Sequence, residues 1–385
     1  MNIRSEVKKI QNIIIATRRD FHKHPELSFK EIRTSKIVAE KLESYGLKVK
    51  RNIGKTGVVG ILKGNHKGKI IAFRADMDAL PIQETSNVSY KSIYDGIMHA
   101  CGHDAHTAIL LGAAQVLSKM KQKIKGEIRF IFQPAEEGYG GAKYMIKDGA
   151  IDNVKEIYGL HVWNYQKSGT IGVQPGPVMA AADMFTISIQ GIGGHGATPQ
   201  GTVDAIVVAS HLIQSLQTIV SRNTNPLDNA VVTIGQINGG NNFNIIADKI
   251  ILKGTARAYT VENKKLIKKR MQSICKGIAE AYDAKIKLSY KNGYPPVIND
   301  TQITNNVINA VKKIIPKGLV KPYLSMGGED FSYFANKIPG CFFFLGTLPN
   351  NKKLMSTPQH CSHFDIDEKA MLTGCAIFVE LALNN

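Results

Sequence analysis

The stretch Ile70-Ile71-Ala72-Phe73-Arg74-Ala75-Asp76-Met77-Asp78 reads as a short strand over Ile70–Arg74 that runs directly into a polar segment. Two other stretches repeat this design. Glu127–Phe132 leads into Gln133-Pro134-Ala135-Glu136-Glu137-Gly138, and Glu156–Leu160 leads into His161. A further strand is predicted at Val58–Lys63, and helices over Thr34–Tyr45, stopped by Gly46, and over about Ala105–Lys119. Strands alternating with helices predict an α/β fold whose mostly parallel sheet is flanked by helices on both faces. In such sheets ligands bind at the carboxyl ends of the strands, where three polar segments would here converge.

From Met184 the pattern changes. A strand at Phe185–Ile189, a helix at Val203–Arg222, strands at Ala230–Gln236 and Ile250–Ala258, a helix at Val261–Tyr282 and a strand at Lys285–Tyr290 follow in turn. That order, β-α-β-β-α-β, is the order of a ferredoxin-like α+β domain. After Pro295-Pro296 helices resume, with an apolar strand at Cys341–Leu345.

Composition narrows the classes. With 385 residues, 43% of them hydrophobic, the chain can bury more than one core. Its five cysteines are an odd number with no disulfide or zinc-ribbon spacing, which suits a reducing cytoplasm. The apolar run Ile13-Ile14-Ile15-Ala16 is too short for a signal-peptide core, and no stretch reaches membrane-spanning length. The net charge of +18 raises a nucleic-acid reading. However, Lys264, Lys265, Lys268, Lys269 and Arg270 recur at helical spacing around Leu266, Ile267 and Met271, as on the solvated face of one helix. Neither a nucleic-acid nor a membrane partner is expected.

The chemistry is concentrated in His99-Ala100-Cys101-Gly102-His103-Asp104-Ala105-His106 and in Glu136-Glu137. Thiol and imidazole are ligands for zinc and its neighbours, whereas magnesium and calcium sites are built from oxygen. Adjacent carboxylates leave the backbone in different directions, so one can bind metal while the other moves a proton. Alone, such a pair is also an ordinary acidic opening of a helix. Its company with Cys101, His103 and His161 at predicted strand ends and helix starts favours a catalytic site.

Taken together, these residues resemble the two-metal amidohydrolases of the aminoacylase and carboxypeptidase G clan, in the subgroup of hippurate hydrolase and N-acyl-amino-acid amidohydrolases. The motifs that carry the likeness run from Arg19-Asp20-Phe21-His22-Lys23-His24-Pro25-Glu26-Leu27, through Phe73–Pro81, the Cys101 motif and Gln133–Gly138, to Gly194-His195-Gly196-Ala197 and Gly328-Glu329-Asp330-Phe331. The resemblance implies Cys101, His103, Glu137, His161 and His360 as ligands of two divalent transition-metal ions (Zn, Mn, Co or Ni), with Cys101 the bridge. It implies Glu136 as general base and Asp78 as support for a ligand. It also implies an inserted lid that dimerises, with His195 stabilising the oxyanion in the partner subunit and Asn244 and Arg257 binding substrate. On this basis residues 1–183 and 296–385 form a discontinuous catalytic domain and 184–295 the lid, with Met179–Ala182 as a hinge candidate.

Some residues depart from the pattern. In Gln359-His360-Cys361-Ser362-His363-Phe364 the usual proline after the ligand is missing, so His363 competes with His360 and Cys361 adds a neighbouring thiol. Gln200 stands where relatives often carry histidine, and Ala247 where they often carry proline. His22, His24, His106 and His211 read as packed or surface imidazoles. The expected activity is hydrolysis of an N-acyl amino acid to a carboxylic acid and an amino acid. The alternatives are a dipeptidase or carboxypeptidase of the same clan and, in another class, a basic nucleic-acid-binding protein with a structural metal.

Overall fold

In the computed structural model, which describes residues 2–349 and 351–384, the strand expected at Ile70–Arg74 spans His66–Asp76 and lies inside an eight-stranded sheet. The spatial order is Lys48–Ile53, Gly57–Lys63, Lys125–Gln133, His66–Asp76, Val154–Lys167, Gly340–Leu348, Ile171–Gly172 and Leu319–Val320. The middle four strands are mutually parallel, and antiparallel pairs begin with the strands on either side. This sheet belongs to the larger of two units, which takes the chain up to Gly176, Ile298–Leu324, and the stretch from Asp330 onward.

Both faces of the sheet are covered, which explains the continuous apolar run in Gly340–Leu348. Successive side chains on a strand point to opposite faces. Thus Phe343 packs on Phe378 of the helix Ala370–Leu383, while Phe342 packs on Phe331. The helix His103–Ser118 packs against the strand His66–Asp76 and the helices Gln11–Lys23 and Ala370–Leu383. It buries nearly every side chain, including Ile109, Leu110 and Leu117, each contributing about 1.5–3 kcal/mol by leaving water. Gly102 precedes it at φ +89, where a Cβ would come within 2.3 Å of Val162, so the turn that aims Cys101 and His103 requires glycine.

Expected strand ends are corrected at three places. The strands reach Asp76 and Gln133, and Val154–Lys167 continues through His161, which lies mid-strand opposite Phe344 instead of after the strand. A histidine interrupts an apolar pattern, yet it is accommodated because its Nδ1 bonds the Val162 carbonyl at 2.7 Å. Asn164, three residues on, donates to the carbonyls of Thr357 and Asp365.

The smaller unit takes Pro177–Val297 and Ser325–Glu329. Its antiparallel sheet has the order Ala230–Gly239, Lys249–Ala258, Ala181–Gln190, Lys285–Tyr294. With the helices Ala205–Thr218 and Val261–Ala281, this is the ferredoxin-like order. Asp204 caps the first helix at the N–H groups of Ile206 and Val207, and Thr260 caps the second at Asn263. Phe185, Ile187 and Ile189 share a core with Leu212, Leu216, Ile267 and Met271. Lys265 and Lys269 are exposed on the opposite side of their helix. In Met179–Ala182, expected as a hinge, the first three residues are buried and Ala182 is half-buried, and the segment is largely strand-paired. Among the described residues no helix is long and apolar enough to cross a membrane, and all five cysteines are free thiols.

Candidate metal centre

The parallel strands deliver Asp76 and Gln133 to one edge of the sheet, and the loops that follow carry Asp78 and Glu136-Glu137. Ala135, immediately before the acidic pair, is held at φ +54, an uncommon conformation for a residue with a Cβ. Buried Glu31 fixes it by accepting its N–H at 2.9 Å, together with the Thr56 hydroxyl and the Phe29 N–H. Burial, helped by Asp78, pushes the Glu31 carboxyl up to about 7.

Asp78 fixes the next two residues. Its oxygens accept the N–H groups of Glu136 and Glu137, each at 3.0 Å, and the Ser28 hydroxyl at 2.7 Å. Oδ1 also stands 3.3 Å from His103 Nδ1. Burial alone would raise the Asp78 pKa, but His103, Ser28 and the Glu137 N–H hold it below the usual carboxylate range.

Five of the expected residues come together. Ligand atoms of Cys101, His103 and His161 lie within 4.8 Å of one another, as do those of Cys101, Glu137 and His360, so two triplets share the thiol. Cys101 Sγ is 3.5 Å from His161 Nε2, and Glu137 Oε1 is 3.3 Å from His360 Nε2 and 4.0 Å from His103 Nε2. Glu136 groups with His103 and Glu137. His363, by contrast, bonds the Ser356 carbonyl at 3.0 Å in an exposed position.

These donors suit divalent transition-metal ions. His103 Nδ1 faces Asp78 Oδ1, while its Nε2 and Oε1 of Glu137 are buried without a hydrogen-bond partner, which is costly unless a cation satisfies them. His161 gives its Nδ1 proton to the Val162 carbonyl, which leaves the Nε2 lone pair facing Cys101. Burial pushes the Cys101 thiol up, and Glu137, Glu136 and Asp76 push it further. Burial pulls His103 down, but Asp76, Asp78 and Glu137 outweigh it and raise the imidazole to about 10. Neighbouring carboxylates contribute to both shifts, and a bound cation would offset their charge while displacing those protons.

His106 behaves as the packed imidazole it was expected to be. Nδ1 donates to Asp76 Oδ1 at 2.5 Å and Nε2 accepts from the Val162 N–H at 2.8 Å, so its grouping with Asp76 and His103 is no open site. Sequence reasoning assigned no role to a buried raft beneath the cluster. Arg74 donates to Gln133, Asp76 and Asp330, and Gln133 Nε2 also donates to Asp330. The available signal was polar Arg74 and Gln133 at the ends of otherwise apolar strands. Glu31 carried no comparable signal.

In the smaller unit His195 and Asn244 are exposed neighbours. Gly194–His195 pairs with Ile245–Ile246, and the Gly196 N–H donates to the Asn244 carbonyl at 2.8 Å. His195 Nδ1 accepts from the Ala197 N–H, which leaves the ring proton on Nε2. Arg257 is half-buried with Nε on the Thr255 hydroxyl, and among the described residues it has no acidic partner in a salt bridge. Ala247 is buried and its carbonyl accepts from Ala205, while Gln200 is exposed.

A mostly parallel sheet with a thiol, imidazoles and paired carboxylates at its carboxyl edge, joined to a ferredoxin-like insertion, defines a class of metallohydrolases. The chain belongs to peptidase family M20/M25/M40, whose signature matches residues 72–384. It is 41% identical to thermostable carboxypeptidase 2 of Saccharolobus solfataricus over 99% of this chain and 97% of that protein. It is 41% identical to N-acetyl-L-cysteine deacetylase of Bacillus subtilis over 97% of this chain and 88% of that one. Among solved structures, the YxeP protein of Bacillus subtilis, described as a dinuclear metal-binding peptidase of the M20 family, matches with a TM-score of 0.86 and 36% identity over 98% of each chain.

Proposed function

We propose that this protein is a two-metal amidohydrolase that cleaves N-acyl amino acids to a carboxylic acid and a free amino acid. The observation that carries the reading is the pair of ligand triplets sharing Cys101, with Glu136 alongside. Cys101, His103, His161, Glu137 and His360 would hold two ions drawn from Zn, Mn, Co or Ni. When bound, such a pair polarises a carbonyl and makes water acidic enough to attack at neutral pH.

The chain's own residues do the rest. Glu136 takes the proton from the attacking water and returns it to the leaving nitrogen. Asp78 keeps Glu136 and Glu137 in their turn, and Glu31 keeps the turn itself. The Nε2–H of His195 is a donor of the kind an oxyanion needs. Arg257, which among the described residues has no acidic salt-bridge partner, suits a substrate carboxylate, with Asn244 contributing a polar contact.

In this reading the larger unit is catalytic and the smaller one is a lid through which two copies dimerise, so that His195 serves the partner's site. Phe243, 97% exposed beside Asn244, supports a surface that a partner covers. The cysteine usage supports a cytoplasmic location. A carboxypeptidase is the second reading, favoured by the identity to the Saccharolobus protein.

The experiment strips metal with a chelator, restores each of the four ions in turn, and assays benzoyl-, acetyl- and aminoacyl-glycine. Metal-dependent cleavage of the acylated glycines supports the first reading, and faster cleavage of aminoacyl-glycine the second. No turnover with any ion would sink both.

A further inference from the structure

The helix Gln11–Lys23 carries Arg18 and His22 four residues apart, which puts both side chains on one face. Both are buried. A guanidinium without access to water is costly unless its arms are paired, and here three carboxylates share it. Arg18 Nε donates to Asp104 at 2.8 Å, Nη2 to Asp365 at 2.9 Å and Nη1 to Glu368 at 3.2 Å. His22 Nδ1 faces the same Asp104 oxygen at 2.8 Å, and its Nε2 faces Glu84 at 3.3 Å. Tyr90 closes the set, with Arg18 4.9 Å over its ring and its hydroxyl donating to Asp365 at 2.9 Å.

Two of these carboxylates belong to segments that carry candidate ligands. Asp104 follows His103 in the first turn of its helix, and Asp365 lies five residues beyond His360. One planar guanidinium thus spans two segments remote in the chain, and its rigid fork sets the distance between them. The link matters most at His360. Its side chain is 52% exposed, whereas Cys101, His103 and His161 are buried, so packing that fixes those three cannot fix His360 in the same way. The loop depends on its ties instead. The His360 N–H donates to the Ala100 carbonyl and the Thr85 N–H to the Ser362 carbonyl, both at 2.7 Å, and Asp365 accepts from Arg18. The last of these is charge-assisted and the strongest of the three.

We infer that Arg18 is a positioning residue for the metal centre, which through Asp365 holds the loop of His360 against the segment of Cys101 and His103. This rests on the two-metal reading, in which His360 belongs to one of the two ligand triplets and not to the other.

The test strips the full chain of metal and reloads it with whichever of zinc, manganese, cobalt and nickel the parent holds at two ions per chain. The affinity of each ion is then read by competition with a chelator, without turnover. Asp365→Asn removes the charged tie and leaves Arg18 paired with Asp104 and Glu368, so this variant keeps the buried guanidinium satisfied. It is expected to bind one ion about 10- to 100-fold more weakly and the other as the parent does. Arg18→Lys, which keeps the charge and loses the fork, is expected to weaken that same ion at least as far. Added to His360→Ala, Asp365→Asn is expected to leave the affinity of the remaining ion unchanged, because the loop then has no ligand to aim. A link that served the fold alone would weaken both ions, or the remaining ion of His360→Ala, and either result overturns the assignment. Parent-like affinity for both ions in either variant overturns it as well. A parent that holds two ions of none of these four metals overturns the two-metal reading and the inference with it, so the parent alone tells the two failures apart.

Discussion

Glu137 Oε1 stands 3.3 Å from His360 Nε2, and the His360 N–H is tied to the Ala100 carbonyl at 2.7 Å. A loop near the end of the chain is thereby fastened to the segment that presents Cys101. His360 itself sits at φ +66, a conformation that the surrounding contacts must hold in place.

That relationship separates two adjacent candidates. His360→Ala is expected to lose about one of two bound metal equivalents, and His363→Ala to retain both, as measured by elemental analysis of the purified proteins. Equal metal content in the two variants would remove His360 from the ligand set.

Glu136→Gln keeps the shape of the side chain and abolishes its basicity. Metal content should stay near the parent's while kcat falls by about 10²- to 10⁴-fold, the usual share of a positioned acid–base group. Parent-like turnover would assign proton transfer to another residue.

Asp78→Asn replaces one of the two oxygens that accept the Glu136 and Glu137 N–H groups with a donor. Metal affinity, measured by chelator competition, should weaken by about 10- to 100-fold. Urea unfolding should show a loss of roughly 1–3 kcal/mol from the unmatched buried groups. Unchanged affinity would make Asp78 a bystander.

Glu31 sets a pH dependence of stability. Its folded pKa of about 7 lies above the ordinary 4.5, so the folded state binds its proton more tightly than the unfolded chain does. The stabilising contribution is complete below about pH 4.5 and disappears as pH rises through about 7, at a rate of up to about 1.4 kcal/mol per pH unit. Glu31→Gln should therefore flatten the fall in unfolding free energy between pH 4.5 and 7. An identical slope in parent and variant would contradict the burial argument.

Motif chemistry could be read without coordinates. A thiol and an imidazole two residues apart, followed by adjacent carboxylates, already specify soft and hard donors and a proton carrier, because ligand preference belongs to the atoms themselves. Harder to read was the supporting layer. Glu31, Arg74, Gln133 and Asp330 act through hydrogen bonds to partners far along the chain, and no local pattern announces such a partner.

The apolar periodicity of the chain determined by itself the α/β class and the β-α-β-β-α-β order, and its Cys, His and Glu motifs offered the donor types a transition metal takes, while the choice of ligands among them came from the family resemblance. Tertiary structure alone decided that His161 lies within its strand, that His360 and not His363 meets Glu137, and that Arg18 joins Asp104 to Asp365. Those outcomes depend on how segments remote in the chain pack together, and such packing is settled by the whole core rather than by any one segment.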